Sequence, residues 1–570
     1  MTHQTAIDGF WLPQSIHSRL ITPATEYASL SLAAGRPSSP GSPVAVTVRW
    51  PLLSIQDWQL LFDQLAENRR RLPGGEVLWQ RLVGALQTVS SQVSAPLEPQ
   101  SEHLIAALPK ITGYSPAMLG FALQALDLFA LEQMPAIYRA RITRKAISDW
   151  QPVPGLPGRL RFFPDKSLER LRGWLPGYSN VLIHSRLDKS ELVVGFGAGN
   201  VPGTALLIGM LALSTALSAD QPPAILIKNS QHEPVFSPFV LRALERADPE
   251  LVAGMAILIW DYTDVPLQEM LLSRADQVLI AASDETIEEV RAQVGRAASR
   301  RGRSIHFHPH GHKVSFTAIG QEMLAADPLD PVSGRPVVER VALMAALDSI
   351  LWDQQGCLSS RIHFVETVAG NEAGTLAYAG HLQSALSRLA SLLPRGAWPK
   401  QHLHDQFDHY KQLEAAGLVQ VLSDYDDEFV VTIDRRAPDL QSFSRQVNSC
   451  HGRVLVVRPV NDLREIASLY LRFLPARNLQ SLSVALGKPG TGLDDRILDF
   501  ATACGECGVT AIRTVGRGAF PQLAYSWDGQ IPLDLVAERP AGHFTTIEFD
   551  DPYGQILETS RLLDSRLPAF

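Results

Sequence analysis

The sequence predicts an α/β protein: two α/β domains behind a mostly helical N-terminal region. Three observations predict it. Short apolar runs at 192–196, 224–227, 255–260, 277–281 and 304–307 alternate with helical patterns, the rhythm of a mostly parallel sheet covered on both faces. A second alternation follows, with a strand-like run at 454–457, a helical stretch over 461–471 and another run at 479–486. The length of 570 residues exceeds what one small core organises. The boundaries expected are 1–175 for the helical region, 176–350 and 351–540 for the two α/β domains, and 541–570 for a tail that serves oligomerisation.

Composition narrows the classes of function. Apolar residues make up 45% and charged residues 19%, ordinary for a globular protein. A formal net charge of −8 offers no basic excess to meet phosphates, which argues against a nucleic-acid partner. The runs Arg69-Arg70-Arg71 and Arg300-Arg301 are short and read as solvated faces. Four cysteines in so long a chain form no disulfide framework and fit a reducing cytoplasm. Cys504-Gly505-Glu506-Cys507 lacks the two further ligands of a zinc site. Met1-Thr2-His3-Gln4 opens without the basic start of a signal peptide. No formal charge lies between Glu191 and Asp220, but glycines and Pro202 interrupt the first half of that run. The remainder, 204–219, falls short of the roughly 20 residues a spanning helix needs. It reads as a buried strand, a glycine-rich turn and a buried helix, so no membrane span is expected.

Taken in order, residues 1–175 say least. Residues 35–43 are a Pro/Ser/Gly loop, and helical patterns cover 55–82 and 115–142 before Pro152, Pro154 and Pro157 break them. The strand 192–196 then runs into Gly195-Phe196-Gly197-Ala198-Gly199-Asn200-Val201-Pro202-Gly203. Pro202 stands where the GxGxxG fingerprint requires glycine, so the loop alone is weak evidence. Asn200 reads on its own as a turn residue that tolerates left-handed geometry. Ile225-Leu226-Ile227-Lys228-Asn229-Ser230 places a lysine at the carboxyl end of a strand, where ligands of such folds sit; a surface lysine after an edge strand fits equally. Ser283 or Asp284 is positioned to cap a helix beginning near Ile287, whose N-terminus would suit a phosphate. His306, His308, His310 and His312 alternate as metal ligands on one strand face would, but no carboxylate joins them and Pro309 is expected to break a regular strand.

The most informative stretch is Leu351-Trp352-Asp353-Gln354-Gln355-Gly356-Cys357-Leu358-Ser359-Ser360-Arg361. Upstream, Val338, Val341, Ala342, Ala345 and Trp352 recur at helical spacing. Downstream, Ile362 and Phe364 alternate with Arg361 and His363, as in a half-buried strand. Gln354-Gln355-Gly356 reads as a polar, flexible connection. A thiol there is held by helix and strand yet open to substrate, as a nucleophile requires. A small buried hydrophobe is the commoner role of a free cysteine.

The string from Trp352 to Arg361 resembles the cysteine motif of the acyl-CoA reductase family typified by the fatty-acid reductase of bacterial luminescence, a branch of the aldehyde dehydrogenase superfamily. Gly199-Asn200-Val201-Pro202-Gly203, the lysine strand with Ser230 and Pro234, and Gly311-His312-Lys313-Val314-Ser315-Phe316 resemble further motifs of that family. The family's Gly-Pro-Lys has His312 here in place of proline. The resemblance implies an aldehyde-dehydrogenase-like fold, with a Rossmann-like cofactor-binding domain and a catalytic domain. It implies Cys357 as nucleophile, Asn200 as oxyanion donor with the Cys357 N–H, and Lys228, Ser230 and Ser283 at the cofactor. Hydrolysing aldehyde dehydrogenases carry a water-activating Glu where Pro309 stands here, which suits reduction of a thioester; His310 is the neighbouring group able to exchange protons. The superfamily's Glu-x-Phe cofactor motif has no counterpart before Arg453. Gly516-Arg517-Gly518 and Ser526-Trp527-Asp528-Gly529 resemble late motifs to which no mechanism attaches.

The expected activity is therefore NADPH-dependent reduction of a long-chain acyl thioester to the fatty aldehyde. The acyl donor is acyl-CoA or an acylated partner, an acyl-protein synthetase or acyl carrier protein, and the enzyme is expected to be a cytoplasmic homo-oligomer. Three rivals remain: an aldehyde-oxidising enzyme of the same fold, a non-catalytic scaffold for an acyl-protein synthetase or carrier protein, and a metalloprotein built on the histidine run His306–His312.

Overall fold

The computed structural model describes residues 6–32, 46–92, 108–124, 149–153, 155–164, 191–214, 221–261, 263–325, 329–330, 334–367, 371–520, 525–530 and 542–566. The loop expected at 35–43 lies outside them, as do residues 125–142 of the helical pattern at 115–142 and the end of the uncharged run at 215–219. The chain forms two compact units interleaved in sequence. The first draws on Met1–Arg139 and His184–His312, the second on Ala140–Ile183, Lys313–Gln530 and Ala541–Phe570.

In the first unit, β1 (Ala6–Asp8), β2 (Tyr27–Leu32) and β3 (Val46–Pro51) form a small sheet in the order β1-β3-β2. Helices Gln14–Leu20, Ile55–Arg69, Gly75–Gln92 and Pro116–Gln124 accompany it, so this stretch is rich in helix, as its periodicity predicted. The main sheet is wholly parallel: β6 (Leu192–Phe196), β7 (Ala224–Lys228), β8 (Met255–Leu258), β9 (Gln277–Ala281) and β10 (His306–His310), in the order β10-β9-β6-β7-β8. β6, β7 and β8 are almost continuously buried, as strands covered on both faces must be. The expected break at Pro309 does not occur. β10 is an edge strand, so a missing N–H costs no ladder bond. The opposite edge, β8, is closed by Trp11, which exchanges backbone bonds of 2.8 and 2.9 Å with Ile257.

The second unit is built on one sheet of ten strands. β4 (Gln151–Pro152) and β5 (Arg159–Pro164) join β11 (Val314–Ile319), β12 (Ser360–Glu366), β13 (Val419–Val421), β14 (Val430–Asp434), β15 (Val454–Val460), β16 (Leu479–Ala485), β17 (Ala511–Thr514) and β18 (Gly542–Ile547). The order is β13-β14-β15-β12-β11-β16-β17-β18-β5-β4. The seven strands from β14 to β18 in that order run parallel, with antiparallel pairings at both edges. The chain enters this unit at 313, earlier than the boundary near 350 read from the pattern, because β11 pairs with β12 and β16. Residues 542–566 supply β18 and the helix Pro552–Arg566 to the same unit.

The expectation of a half-buried β12 is corrected. All seven residues are buried, because β12 lies between β11 and β15 and is covered on both faces. Its polar side chains are satisfied internally: His363 bonds Ser349 and Tyr378 at 2.8 and 2.9 Å, and Arg361 donates to the Val447 carbonyl at 2.9 Å.

Candidate active site

In the first unit, strand order reverses between β6 and β9, and ligands of such sheets bind outside the carboxyl ends at that point. The loop after β6 carries Asn200, and the turn after β9 carries Ser283. The loop needs its glycines because its neighbours are close. A Cβ on Gly195 would lie 2.6 Å from Ile208 Cγ2, one on Gly197 would lie 2.9 Å from Ala205 Cβ, and one on Gly199 would lie 2.8 Å from His232 Cβ and closer still to Ser230. Gly203 has φ +86° and leads into the helix Thr204–Ser214. Glu233 is buried beneath, accepting from Val235 N at 3.2 Å and Phe236 N at 2.7 Å; burial pushes its carboxyl up to about 7. Asn200 is exposed, and its carbonyl accepts from the Tyr114 hydroxyl.

Lys228 ends β7, half-buried, with Nζ 6.0 Å from the centre of the Trp260 ring. Burial lowers its ammonium from the ordinary lysine value, against the field of Asp261. The turn that follows is self-braced. Asn229 Nδ2 donates to the Pro234 carbonyl at 2.9 Å, and Ser230 Oγ accepts from His232 N at 3.1 Å. Lys228, Ser230 and the Asn200 loop therefore share one end of one sheet. Ser283 is the N-cap of the helix Asp284–Arg301, as predicted, its hydroxyl accepting from Thr286 N. Asp284 and Glu285 place negative charge in the first turn, and Asp284 Oδ1 receives His312 N at 2.9 Å. His310 is half-buried at the end of β10, its carbonyl accepting from Ala282 N at 3.2 Å. Among the described residues no group of three or more His, Cys, Asp or Glu side chains is gathered as a metal site requires.

In the second unit, Cys357 lies at the amino end of the parallel strands, the reverse of the arrangement in the first. The helix Val337–Ile350 stops before Trp352, which the periodicity had placed within it. Trp352, Asp353 and Gln354 instead adopt φ of 55°, 49° and 61°, three successive left-handed residues without a glycine. Such geometry costs on the order of 1–3 kcal/mol per residue, and the surroundings hold it. Arg453, itself at φ 77°, donates to Asp353 Oδ1 at 2.8 Å, and Gly396 N reaches Oδ2 at 3.0 Å. Gln354 donates to the Ser360 carbonyl at 2.9 Å and accepts from Val454 N at 2.8 Å. The expected flexible connection is thus corrected: Gln354 is fully buried and clamped at both ends of its amide.

Beyond this turn Cys357 is part-exposed, whereas Cys450 and Cys504 are buried. Ser315 Oγ donates to the Cys357 carbonyl at 2.8 Å and lies 2.9 Å from Ser481 Oγ. Burial, followed by the charge of Asp528, pushes the thiol up to about 11, while the Gln480 side chain and the Lys313 ammonium favour thiolate. Gln480, Ser481, Lys313 and Arg453 are the contributors that sequence reading missed. Lys313 stood within a quoted motif. The others lie on segments remote from Cys357, with no local pattern to mark them.

Residues 189–539 match the acyl-CoA reductase (LuxC) family. The chain belongs to that family. It is an oxidoreductase of the acyl-CoA reductase type. Among solved structures, aldehyde dehydrogenase 21 of Physcomitrella patens, in complex with the product succinate, is similar over 96% of this chain and 99% of its own, at TM-score 0.53 and 11% identity. An oxidoreductase from Marinobacter aquaeolei covers 91% and 94% at TM-score 0.53 and 11% identity. A protein of Sinorhizobium meliloti described as a methylmalonate-semialdehyde dehydrogenase, complexed with NAD, covers 96% and 98% at TM-score 0.52 and 12% identity. At these identities the likeness shows the fold, which is that of an aldehyde dehydrogenase. No curated protein sequence matches the chain. Among the described residues no helix is long and apolar enough to cross a membrane.

Proposed function

We propose that this acyl-CoA reductase family member reduces a long-chain acyl thioester to the fatty aldehyde, with Cys357 as acyl acceptor and NADPH as reductant. The observation that carries the reading is the setting of Cys357. It is part-exposed on a rigid turn, with its carbonyl fixed by Ser315, and it lies within the family match. Its sulphur attacks the thioester carbonyl. The S–C bond to Cys357 forms as the bond to the donor sulphur breaks, and the proton lost by Cys357 leaves on the donor thiol. When Cys357 is released, the C–S bond breaks and the sulphur takes up a proton again. The Cys357 N–H and the Asn200 amide are the proposed donors to the carbonyl oxygen, a role that requires fixed dipoles.

The residues of the first unit fit a nicotinamide nucleotide. Close packing of Gly199 on Ser230 and His232 keeps the loop free of side-chain bulk, a half-buried lysine ends β7, and the helix Thr204–Ser214 opens beside the strand-order reversal. Lys228 and Ser230 are the proposed contacts, with Lys228 suited to ribose or to a 2′-phosphate. The Ser283 hydroxyl is occupied by its cap, so its proposed part is the position of the turn after β9. When bound, the cofactor supplies the hydride that converts the acyl carbonyl to aldehyde. Pro309 within β10 leaves no carboxylate there to activate water, which favours reduction over hydrolytic oxidation. His310 is the proposed proton-exchanging neighbour. An acyl-CoA or acylated protein as donor, and a homo-oligomeric cytoplasmic enzyme, belong to the same proposal.

Intact-protein mass spectrometry tests it. The full chain is mixed with a long-chain acyl-CoA, with and without NADPH. An acyl adduct on Cys357 that disappears with NADPH as aldehyde forms is the expected result. Turnover at the original rate by Cys357→Ala would overturn it.

A further inference from the structure

The segment after β7 lies beneath the loop after β6, and the two meet at successive points. Gly197 N donates to the Lys228 carbonyl at 3.0 Å. A Cβ on Gly199 would lie 2.8 Å from His232 Cβ, and one on Gly203 would lie 3.2 Å from the Phe236 ring. Leu206 N, in the first turn of the helix Thr204–Ser214, donates to Ser237 Oγ at 3.2 Å. Ser237 is fully buried. The loop therefore takes its shape from residues 228–237.

Glu233 stands in the middle of that support and is 3% exposed. Its Oε1 accepts from Val235 N at 3.2 Å and from Phe236 N at 2.7 Å, where the helix Phe236–Ala247 begins and backbone donors lack partners in the helix. One carboxyl oxygen thus fixes the start of the helix whose Phe236 and Ser237 carry Gly203 and Leu206. On the other side of the turn Asn229 Nδ2 holds the Pro234 carbonyl at 2.9 Å. An amide oxygen would accept the same bonds without the cost of burying a charge. What the carboxyl adds is a proton that can come and go. Burial brings that exchange to about 7.

The charges around Glu233 are few and mostly engaged. No residue from 192 to 219 is ionisable, so the loop and its helix bring no titratable group. On its own turn stand Lys228, which feels Asp261 beyond β8, and the exposed His232. On the side of β1, where Gly9 packs on Pro234, Asp8 pairs with Arg49 at 2.7 Å. Along the helix Phe236–Ala247, Arg242 donates to the Phe10 carbonyl at 2.9 Å, Glu245 accepts from Trp11 Nε1 at 3.1 Å, and Arg246 lies in the last turn. From the helix Gly75–Gln92, Arg81 pairs with Asp248 at the far end.

We propose that Glu233 is the positioning residue of the cofactor loop, holding it through Phe236 and Ser237, and that the anionic cofactor binds more tightly when this carboxyl carries a proton. The inference rests on the reading of the first unit as the NADPH site. A pyrophosphate brought to the loop sets negative charge over a carboxyl that water does not reach, and repulsion between such charges is weakly screened. The protonated carboxyl keeps Oε1 as an acceptor, so the support survives while the repulsion disappears. By linkage, bound cofactor raises the proton affinity of Glu233 by the factor that the proton raises cofactor affinity.

The test is NADPH affinity of the full chain, read by fluorescence quenching at about pH 6 and about pH 8, on either side of the exchange. Wild type, Glu233→Gln and Glu233→Ala are compared, with thermal melting as the check of folding. Glu233→Gln keeps the acceptor and cannot ionise. It is expected to match wild type at the lower pH and to bind about fivefold more tightly at the higher. The 2′-phosphate, Lys228 and His232 titrate in both proteins and drop out of the ratio. Glu233→Ala leaves two backbone donors unmet and is expected to bind about tenfold more weakly at the lower pH. A purely structural role would lower affinity in both variants and leave the ratio of Glu233→Gln to wild type independent of pH. That constant ratio overturns the proton coupling, and a folded Glu233→Ala with wild-type affinity overturns the positioning. If Glu233→Ala does not fold, the ratio for Glu233→Gln decides alone. Wild type that quenches no NADPH at either pH refutes the cofactor reading, whereas wild type that binds beside variants equal to it overturns this proposal only.

Discussion

Cys357 is a part-exposed residue whose thiol sits in a setting that opposes ionisation, with burial and Asp528 on one side and Gln480 and Lys313 on the other. In the first unit, single residues are constrained by space. Gly199 shows this most directly: an added Cβ has Ser230 and His232 within contact distance and nowhere to go. Gly199→Ala is expected to cost roughly 1–3 kcal/mol through overpacking and to weaken NADPH binding about tenfold or more by displacing the loop. Quenching of NADPH fluorescence on titration measures it, and binding equal to wild type would remove the loop from the proposed cofactor site.

The turn Trp352–Gln354 is the element on which the second unit's site depends. Its three left-handed residues persist because Asp353 and Gln354 are bonded to segments far along the chain. Removing one of those anchors exposes how much it holds. Arg453 is 1% exposed and its charge is met by Asp353. Asp353→Ala leaves a buried guanidinium unpaired, at a cost of about 3–5 kcal/mol. Urea denaturation is expected to show that loss together with a fall in acylation of Cys357, since the backbone that carries it is no longer fixed. A loss below about 1 kcal/mol would mean the ion pair does not brace the turn.

Asp348 ties distant parts of the second unit together. It projects from the helix Val337–Ile350 and accepts from Gly516 N at 2.8 Å and Ala519 N at 3.3 Å. Space requires the glycine at Gly518, where a Cβ would overlap Ser483 Oγ and lie 3.0 Å from the Asp348 carboxyl carbon, while Gly516 has φ +83°. Burial pushes the Asp348 carboxyl from its ordinary 3.8 up to about 7. Between those values the folded protein keeps a proton that the unfolded chain has released. Its contribution to stability therefore falls as pH rises through this window and is level above it. Relative to Asp348→Asn, wild type is expected to lose about 3 kcal/mol between pH 5 and pH 8, at about 1.4 kcal/mol per unit up to pH 7. Denaturation of both proteins at the two pH values checks it, and parallel changes would show that the carboxyl stays ionised in the fold.

Much of this was legible in the chain. Apolar runs located β6 and β9 to the residue, and the motifs around Asn200, Lys228 and Cys357 pointed to the family to which the chain belongs. These signals are local: strand burial writes itself into consecutive residues, and a nucleophile's turn into its neighbours. What the sequence left undecided is non-local. Trp352 keeps helical spacing yet leaves the helix, because Asp353 finds Arg453 and Gln354 finds Val454, each 100 residues away. β5 pairs with β18 across most of the chain, and Asp528 reaches Gln480 from 48 residues on. Such partners are chosen by burial and by the need to satisfy every buried polar group, conditions met only when the whole chain is packed. The local pattern thus determined which elements form and which thiol to suspect, and the tertiary structure alone decided what holds that thiol and sets its proton affinity.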